Sequence, residues 1–286
     1  MAGGRVAAKV ESRVAIVTGG ASGIGRALGE ELGAEGCEVV LADRQVGVAE
    51  KVAAAIRRRG GRAAAAELDV RDFGAFERLI RETHDRTGRI DLLFNNAGIA
   101  VAGEVRDYTL QDWEDVFDVN LRGVVHGIQA VYPLMIEQGF GHIVNTASMA
   151  GLVPSPMTAS YTTTKHAVVG LSKALRIEAK AYGVRVSVVC PGVIRTAILR
   201  GGEYGRLKVP VSPQESEERL ERLRPMDANL LAKKVLGDVS RNRAIIIYPR
   251  WWKVFWYLER ISPGLSERLG EAFVEGARRD LREIQQ

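Results

Sequence analysis

The sequence predicts an α/β protein, a doubly wound and mostly parallel seven-stranded sheet with helices on both faces. Three observations lead there. Short runs rich in Val, Ile, Leu and Ala recur along the chain, separated by longer segments of helical character. The runs are nearly continuous in apolar residues, as strands buried on both faces are. Such strand–helix alternation builds parallel sheets with right-handed crossovers. Glycine, Asn, Asp and Ser also gather where the runs end, the edge at which ligands bind in such sheets.

Taken in order, RVAIVT (13–18) leads into a glycine-rich turn and a helix reaching about Glu35. CEVVLAD (37–43) precedes a helix ending at Arg57, Arg58 and Arg59, where cations suit the helix dipole. RAAAAELDV (62–70), IDLLFNNAG (90–98), GHIVNTAS (141–148), VRVSVVCPG (184–192) and RAIIIYP (243–249) complete the set. No linker, repeat or low-complexity block interrupts the first 200 residues. The reading is one domain over 1–286, with its core at about 12–250 and a helical C-terminal extension at 250–286.

The chain has 286 residues, 46% hydrophobic and 26% charged, enough for a sizeable core. The formal charge of +5 is mild, and the arginines are scattered rather than gathered into the stripe that marks a nucleic-acid binder. No nucleic-acid partner is expected. Cys37 and Cys190 lie in apolar runs, which suits buried free thiols in a reducing compartment. The start lacks a signal-like apolar core, and no run of 18 or more apolar residues occurs. A cytoplasmic protein is expected. His84, His126, His142 and His166 lack ligand spacing, so no metal site is expected.

TGGASGIG (Thr18 to Gly25) falls between the first strand and the first helix. Gly19, Gly23 and Gly25 permit a tight turn, close backbone approach to a pyrophosphate and close helix–strand packing, and the helix N-terminus offers N–H donors. Asp43 stands 18 residues after Gly25, at the end of the second strand, where a carboxylate holds ribose hydroxyls. Together these predict a dinucleotide site of Rossmann-like type. The Asp43 carboxylate would repel a 2′-phosphate, so NAD is favoured over NADP. Arg44 beside it is placed to stack on adenine or meet a phosphate. Ser22 sits in the loop itself, which carries no basic residue.

In SYTTTK (160–165), helical spacing would put Tyr161 and Lys165 on one face, a turn apart. A free phenol titrates near 10. A cation about 4 Å away is worth on the order of 4 kcal/mol in a partly screened site, enough to bring the phenol toward roughly 7. The three threonines between are read as small residues that let a neighbouring helix approach.

With TGGASGIG stand NNAG (95–98), Asn120 in VNLRG, Ser148 in TASMAG, YTTTK and PGVIRT (191–196). Over roughly residues 12 to 200 the chain resembles the short-chain dehydrogenase/reductase family, single-domain type. Ser148 lies thirteen residues before Tyr161, as in that family, and none of these motifs departs from its pattern. The resemblance implies that Tyr161 is the general acid or base, with Ser148 bonding the substrate oxygen. Lys165 would hold the nicotinamide ribose and lower the tyrosine pKa, and Asn120 would position a water. It further implies cofactor contacts from Gly19, Ser22, Gly23, Ile24, Gly25, Asp43 and Arg44 in the first half. Asp69, Val70, Asn96, Ala97 and Gly98 would continue them, as would Pro191, Gly192, Ile194 and Thr196. Residues 197–225 would be a substrate lid, and helices around 110–138 and 159–182 would build a homotetramer or homodimer.

Apolar Met149, Ile198 and Leu199 point to a lipophilic alcohol or carbonyl substrate. The tail holds three of the four tryptophans, and a helical wheel groups Trp251, Trp252, Phe255 and Leu258 opposite Arg250, Lys253 and Arg260. Two readings of 250–265 stay open: packing on the domain or a partner subunit, or an interfacial helix that rests on a membrane or guards entry for a lipid-like substrate. Two rival functions are a nucleotide-sensing regulator without turnover and a sugar-nucleotide epimerase or dehydratase. The intact Tyr/Lys pair speaks against the first, and the short C-terminal region against the second.

Overall fold

The structure, a computed structural model, describes residues 13–200, 202–208, 221 and 223–284. Seven strands form one parallel sheet: β1 (Val14–Thr18), β2 (Glu38–Asp43), β3 (Arg62–Glu67), β4 (Leu92–Asn95), β6 (Gly141–Thr146), β7 (Val184–Pro191) and β9 (Ile245–Tyr248). Their order is β3-β2-β1-β4-β6-β7-β9. The chain winds outward one way from β1 and the other way from β4, so a crevice opens where these two strands end. Helices α1 (Gly23–Ala34), α2 (Val46–Arg58) and α7 (Ala228–Ser240) cover one face around Leu28, Leu41 and Ile246. Helices α3 (Phe73–Thr87), α5 (Gly123–Gln138) and α6 (Ala159–Ala179) cover the other around Phe76, Leu93 and Ile143.

Three features depart from the sequence reading. The run RAAAAE is not buried on both faces: β3 is the edge strand, and its residues are exposed or half-buried. Two three-residue strands, β5 (Ala100–Ala102) and β8 (Gly205–Leu207), pair in parallel as a second small sheet. The tail is two helices, α8 (Lys253–Ile261) and α9 (Pro263–Ile284), and the expected apolar arc is divided. Trp252 packs against the core with Trp256, whereas neighbouring Trp251 is exposed.

The small sheet is anchored by charge. Asp112, on α4 (Leu110–Phe117), is fully buried and caps its own helix with Thr109. Lys208 reaches it at 2.7 Å, and Arg206 of β8 pairs with both Asp112 and Asp115. Burial alone would raise the Asp112 carboxyl, but Lys208, Thr109 and Arg206 hold it well below the usual carboxylate range. About half of the expected lid, 209–220 with 201 and 222, lies outside the described residues.

A buried imidazole sits between β6 and β7. His142 Nε2 donates to Ser187 Oγ at 2.8 Å, and that hydroxyl donates to the Arg243 carbonyl at 2.6 Å. Burial lowers His142 to about 3, helped by Arg185 and Arg176. Unfolded, it titrates near 6.5. A depressed folded value means the full contribution is present above about 6.5 and lost as pH falls toward the folded value. Urea unfolding should therefore lose up to ~1.4 kcal/mol per pH unit from this group below pH ~6. His142→Gln should flatten that limb; an unchanged slope would contradict the assignment.

Candidate active site

A cavity of about 740 Å³ opens at the C-terminal ends of β1, β4, β6 and β7. Its first wall is the glycine turn. Gly19 has φ +66°, and a Cβ on Gly25 would stand 2.1 Å from the Gly19 carbonyl oxygen, so the turn and α1 close tightly. A Cβ on Gly23 would reach toward Thr196 at 3.2 Å, filling the gap between the two walls. Ser22 is the N-cap of α1 but makes no side-chain cap bond, which leaves first-turn N–H groups for an anion. These residues fit a dinucleotide pyrophosphate.

Asp43 closes this end. Its Oδ2 accepts from Ala21 N at 3.0 Å and its Oδ1 from Gln45 N at 2.9 Å, so the carboxylate is held in one orientation. Asp69 and Arg71 form a bidentate pair, and the Arg71 guanidinium keeps the Asp69 carboxyl below its ordinary value. Arg44, Asp69, Val70 and Arg71 line the same end; Arg71 was not among the expected residues, since a strand-end arginine has no motif of its own.

A chain of hydrogen bonds crosses the crevice. Thr18 Oγ1 accepts from Asn96 N at 3.0 Å and Ala97 N at 3.1 Å. Asn96 Nδ2 donates to the Thr18 carbonyl at 3.1 Å, and its Oδ1 accepts from Thr146 Oγ1 at 3.4 Å. The Thr146 carbonyl accepts from Lys165 Nζ at 2.9 Å. Beneath it, Asn95 is buried and donates to Asn145 Oδ1 at 2.9 Å. Ala97 and Gly98 line the cavity, as do Pro191, Gly192, Ile194 and Thr196 on the opposite wall.

Tyr161 and Lys165 both lie on α6 and line the cavity. Ser148 follows β6, caps the short turn 149–151 by accepting from Ala150 N at 3.1 Å, and lines the cavity with Tyr161. The electrostatics differ from expectation. Lys165 Nζ lies over the phenol ring, 5.3 Å from its centroid. Burial pushes the Tyr161 phenol up, with the Ser148 hydroxyl opposing it, and pushes Lys165 down to about 8. Loss of solvent is the leading cause of both shifts.

Asn120 sits in a π-helical turn, Asp118–Arg122, between α4 and α5. Its Oδ1 accepts from Ile99 N at 2.8 Å, and its Nδ2 donates to the Ile99 carbonyl at 2.9 Å and to Thr164 Oγ1 at 3.3 Å. The threonines are therefore more than small spacers. Thr164 joins α6 to Asn120, and Thr162 Oγ1 donates to the Ser155 carbonyl at 3.2 Å.

The far end of the cavity is apolar. Met149, which belongs to the core, and Ile198 both line it; the Leu199 side chain lies outside the described residues. Trp252 and Phe255 line the cavity, as the entry-guarding reading of 250–265 expects; sequence reasoning missed the loop Val153–Met157 and the cover by Leu269 and Phe273. Trp252 is so close to the PG turn that a Cβ on Gly192 would overlap its indole, at 2.1 Å. Among the described lining residues, the charged ones are Asp43, Arg44, Asp69, Arg71 and Lys165, and none stands at the apolar end. No cluster of His, Cys, Asp or Glu suited to a metal occurs among the described residues.

Comparison with known proteins gives a consistent result. A family model described as short chain dehydrogenase matches residues 13–203. A meso-2,3-butanediol dehydrogenase of Serratia marcescens is 38% identical over 193 residues, 68% of this chain and 76% of that one. Oxidoreductase UcpA of Salmonella typhimurium is 35% identical over 189 residues, 66% of this chain and 72% of that one. A short chain dehydrogenase/reductase from Burkholderia phymatum, solved in complex with NAD, superposes with a TM-score of 0.80 at 29% identity. It covers 91% of this chain and 96% of its own. Levodione reductase superposes at 0.74 with 32% identity, over 82% of this chain and 95% of its own.

Thr164→Val keeps the shape and removes the bond to Asn120. It should lower unfolding free energy by about 1 kcal/mol, read from urea titration; no change would show that the contact adds nothing.

Proposed function

This chain belongs to the short chain dehydrogenase family, and on that premise we propose that it is an NAD-dependent enzyme interconverting a lipophilic alcohol and its carbonyl compound. The observation that carries the proposal is the placement of Ser148, Tyr161 and Lys165 in the same cavity as the glycine turn and Asp43. When bound, the nicotinamide supplies the hydride acceptor or donor. Gly19, Ser22, Gly23, Ile24 and Gly25 hold its pyrophosphate, and Asp43 the adenosine ribose. Asp69, Val70 and Arg44 flank the adenine, while Lys165, Gly192, Ile194 and Thr196 keep the nicotinamide end.

Ser148 hydrogen-bonds the substrate oxygen, and Tyr161 gives that oxygen a proton in reduction or removes one in oxidation. Burial favours the protonated phenol, the form that donates. Lys165, at about 8, remains largely cationic at neutral pH and favours the phenolate when the proton leaves. Asn120 holds the β5 side of the cavity through Ile99. The uncharged far end favours an apolar substrate, and relatives named for butanediol and levodione support an alcohol or ketone as the reacting group.

The orientation of Asp43 supports NAD over NADP. The same proposal includes a cytoplasmic enzyme, supported by two buried unpaired cysteines. It also includes assembly as a homotetramer or homodimer through α4–α5 and α6, where Leu110 and Ile177 are 81% and 79% exposed.

Tyr161→Phe should lose at least ~100-fold in kcat while still binding NADH by fluorescence titration. Substantial residual turnover would remove Tyr161 from its role. With a panel of aliphatic and cyclic alcohols, KM for NAD should be at least ~10-fold below that for NADP, and Asp43→Ala should narrow the gap. A preference for NADP in the unaltered protein would overturn the cofactor reading.

A further inference from the structure

The turn Arg250–Trp252 and helix α8 together carry two apolar faces, and only one has a partner. Trp252 and Trp256 turn inward onto the core, with Arg260 over the Trp256 ring at 5.7 Å. Trp251, Val254, Tyr257 and Ile261 are 52%, 66%, 53% and 82% exposed, at the three- and four-residue spacing of one outward stripe. Leu265, Leu269 and Phe273 extend exposed apolar surface along α9. Leu269, Phe273 and Phe255 also line the cavity, so its cover and the exposed patch share side chains. Arg250 and Arg260 are exposed along the turn and α8, Arg268 is exposed on α9 between exposed Glu267 and Glu271, and Arg278 grips Glu104 through two bonds of 2.9 and 3.0 Å.

We infer that the outward face of α8 and the first half of α9 rests on an anionic lipid surface and lets an apolar substrate pass from that surface into the cavity. Three features favour lipid over a protein partner. Tryptophan and tyrosine at the rim suit the depth of lipid headgroups. Exposed Arg250 and Arg260, on a stretch where no acidic residue is exposed, complement anionic headgroups. The face continues through shared side chains into an apolar cavity. No helix among the described residues is long and apolar enough to cross a membrane, so contact of this kind lies in the interface plane. The substrate part of the inference rests on the function proposed above; the docking part does not.

The test is sedimentation of the full chain with vesicles of equal parts phosphatidylcholine and phosphatidylglycerol, beside a double variant, Val254→Asp with Ile261→Asp. Neither residue lines the cavity, so turnover of a short, water-soluble alcohol and the thermal midpoint should be unchanged. The variant should lose at least ~10-fold in vesicle partitioning and, in parallel, its rate on a long-chain alcohol carried in the vesicles. Loss of partitioning by the variant in a protein that turns over no alcohol would sustain docking and sink only the reaction. Equal sedimentation of the two proteins would overturn the inference. So would a chain that ignores vesicles but self-associates through this face, shown by a drop in light-scattering mass for the variant.

Discussion

The hydroxyl of Thr18 is the point from which the rest of the site is hung. It accepts two backbone N–H groups, from Asn96 and Ala97, and thereby locks the end of β4 to the end of β1. Asn96 passes the constraint to Thr146 on β6, and Thr146 passes it to Lys165 on α6. The backbone ladders of β1 with β4 and of β4 with β6 set the register, and these side-chain bonds tie the strand ends together beyond the ladders. Each link is a modest hydrogen bond, but these groups are buried or half-buried, so an unmade link leaves a costly unsatisfied partner. The crevice is thus held open by a polar chain along its floor, not by the apolar layers on either side.

The cavity is divided by charge. Its ionisable residues stand at the Asp43 end and at Lys165, while the wall built by Met149, Met157 and Phe273 carries none. Such a division makes Lys165 the last cation met along the cavity before an apolar region. In that setting burial decides the protonation of both Tyr161 and Lys165, each moved toward its neutral form.

Much of this was legible in the sequence because it depends on neighbours along the chain. Seven apolar runs marked seven strands, and the polar residues at their ends marked the edge that faces the crevice. Features set by distant contacts were not. RAAAAE reads like its buried neighbours, and only its place at the sheet edge exposes it. The tryptophan arc reads as one face, yet Trp252 is drawn inward by Gly192, some sixty residues upstream. The short strands β5 and β8 hold three residues each, too few to show a period, and the charge cluster at Asp112 needs side chains from both sides of a long connection. Thr164 looked like a spacer because its partner, Asn120, is 44 residues away.

The π-helical turn at Asp118–Arg122 reaches further than the side chain it presents. It sits between two helices that serve different masters, α4 facing the charge cluster and α5 facing the sheet core. On α5, Gly123 fits against Val70 and Gly127 against Asn95 and Phe76, contacts too close for any side chain. A wide turn takes up one extra residue without breaking the helical path. Deleting one residue there would rotate all of α5 by about 100°, swinging both glycines off their partners. The turn works as a phase adjuster, allowing the helical surface ahead of it and the helical surface behind it to be changed independently.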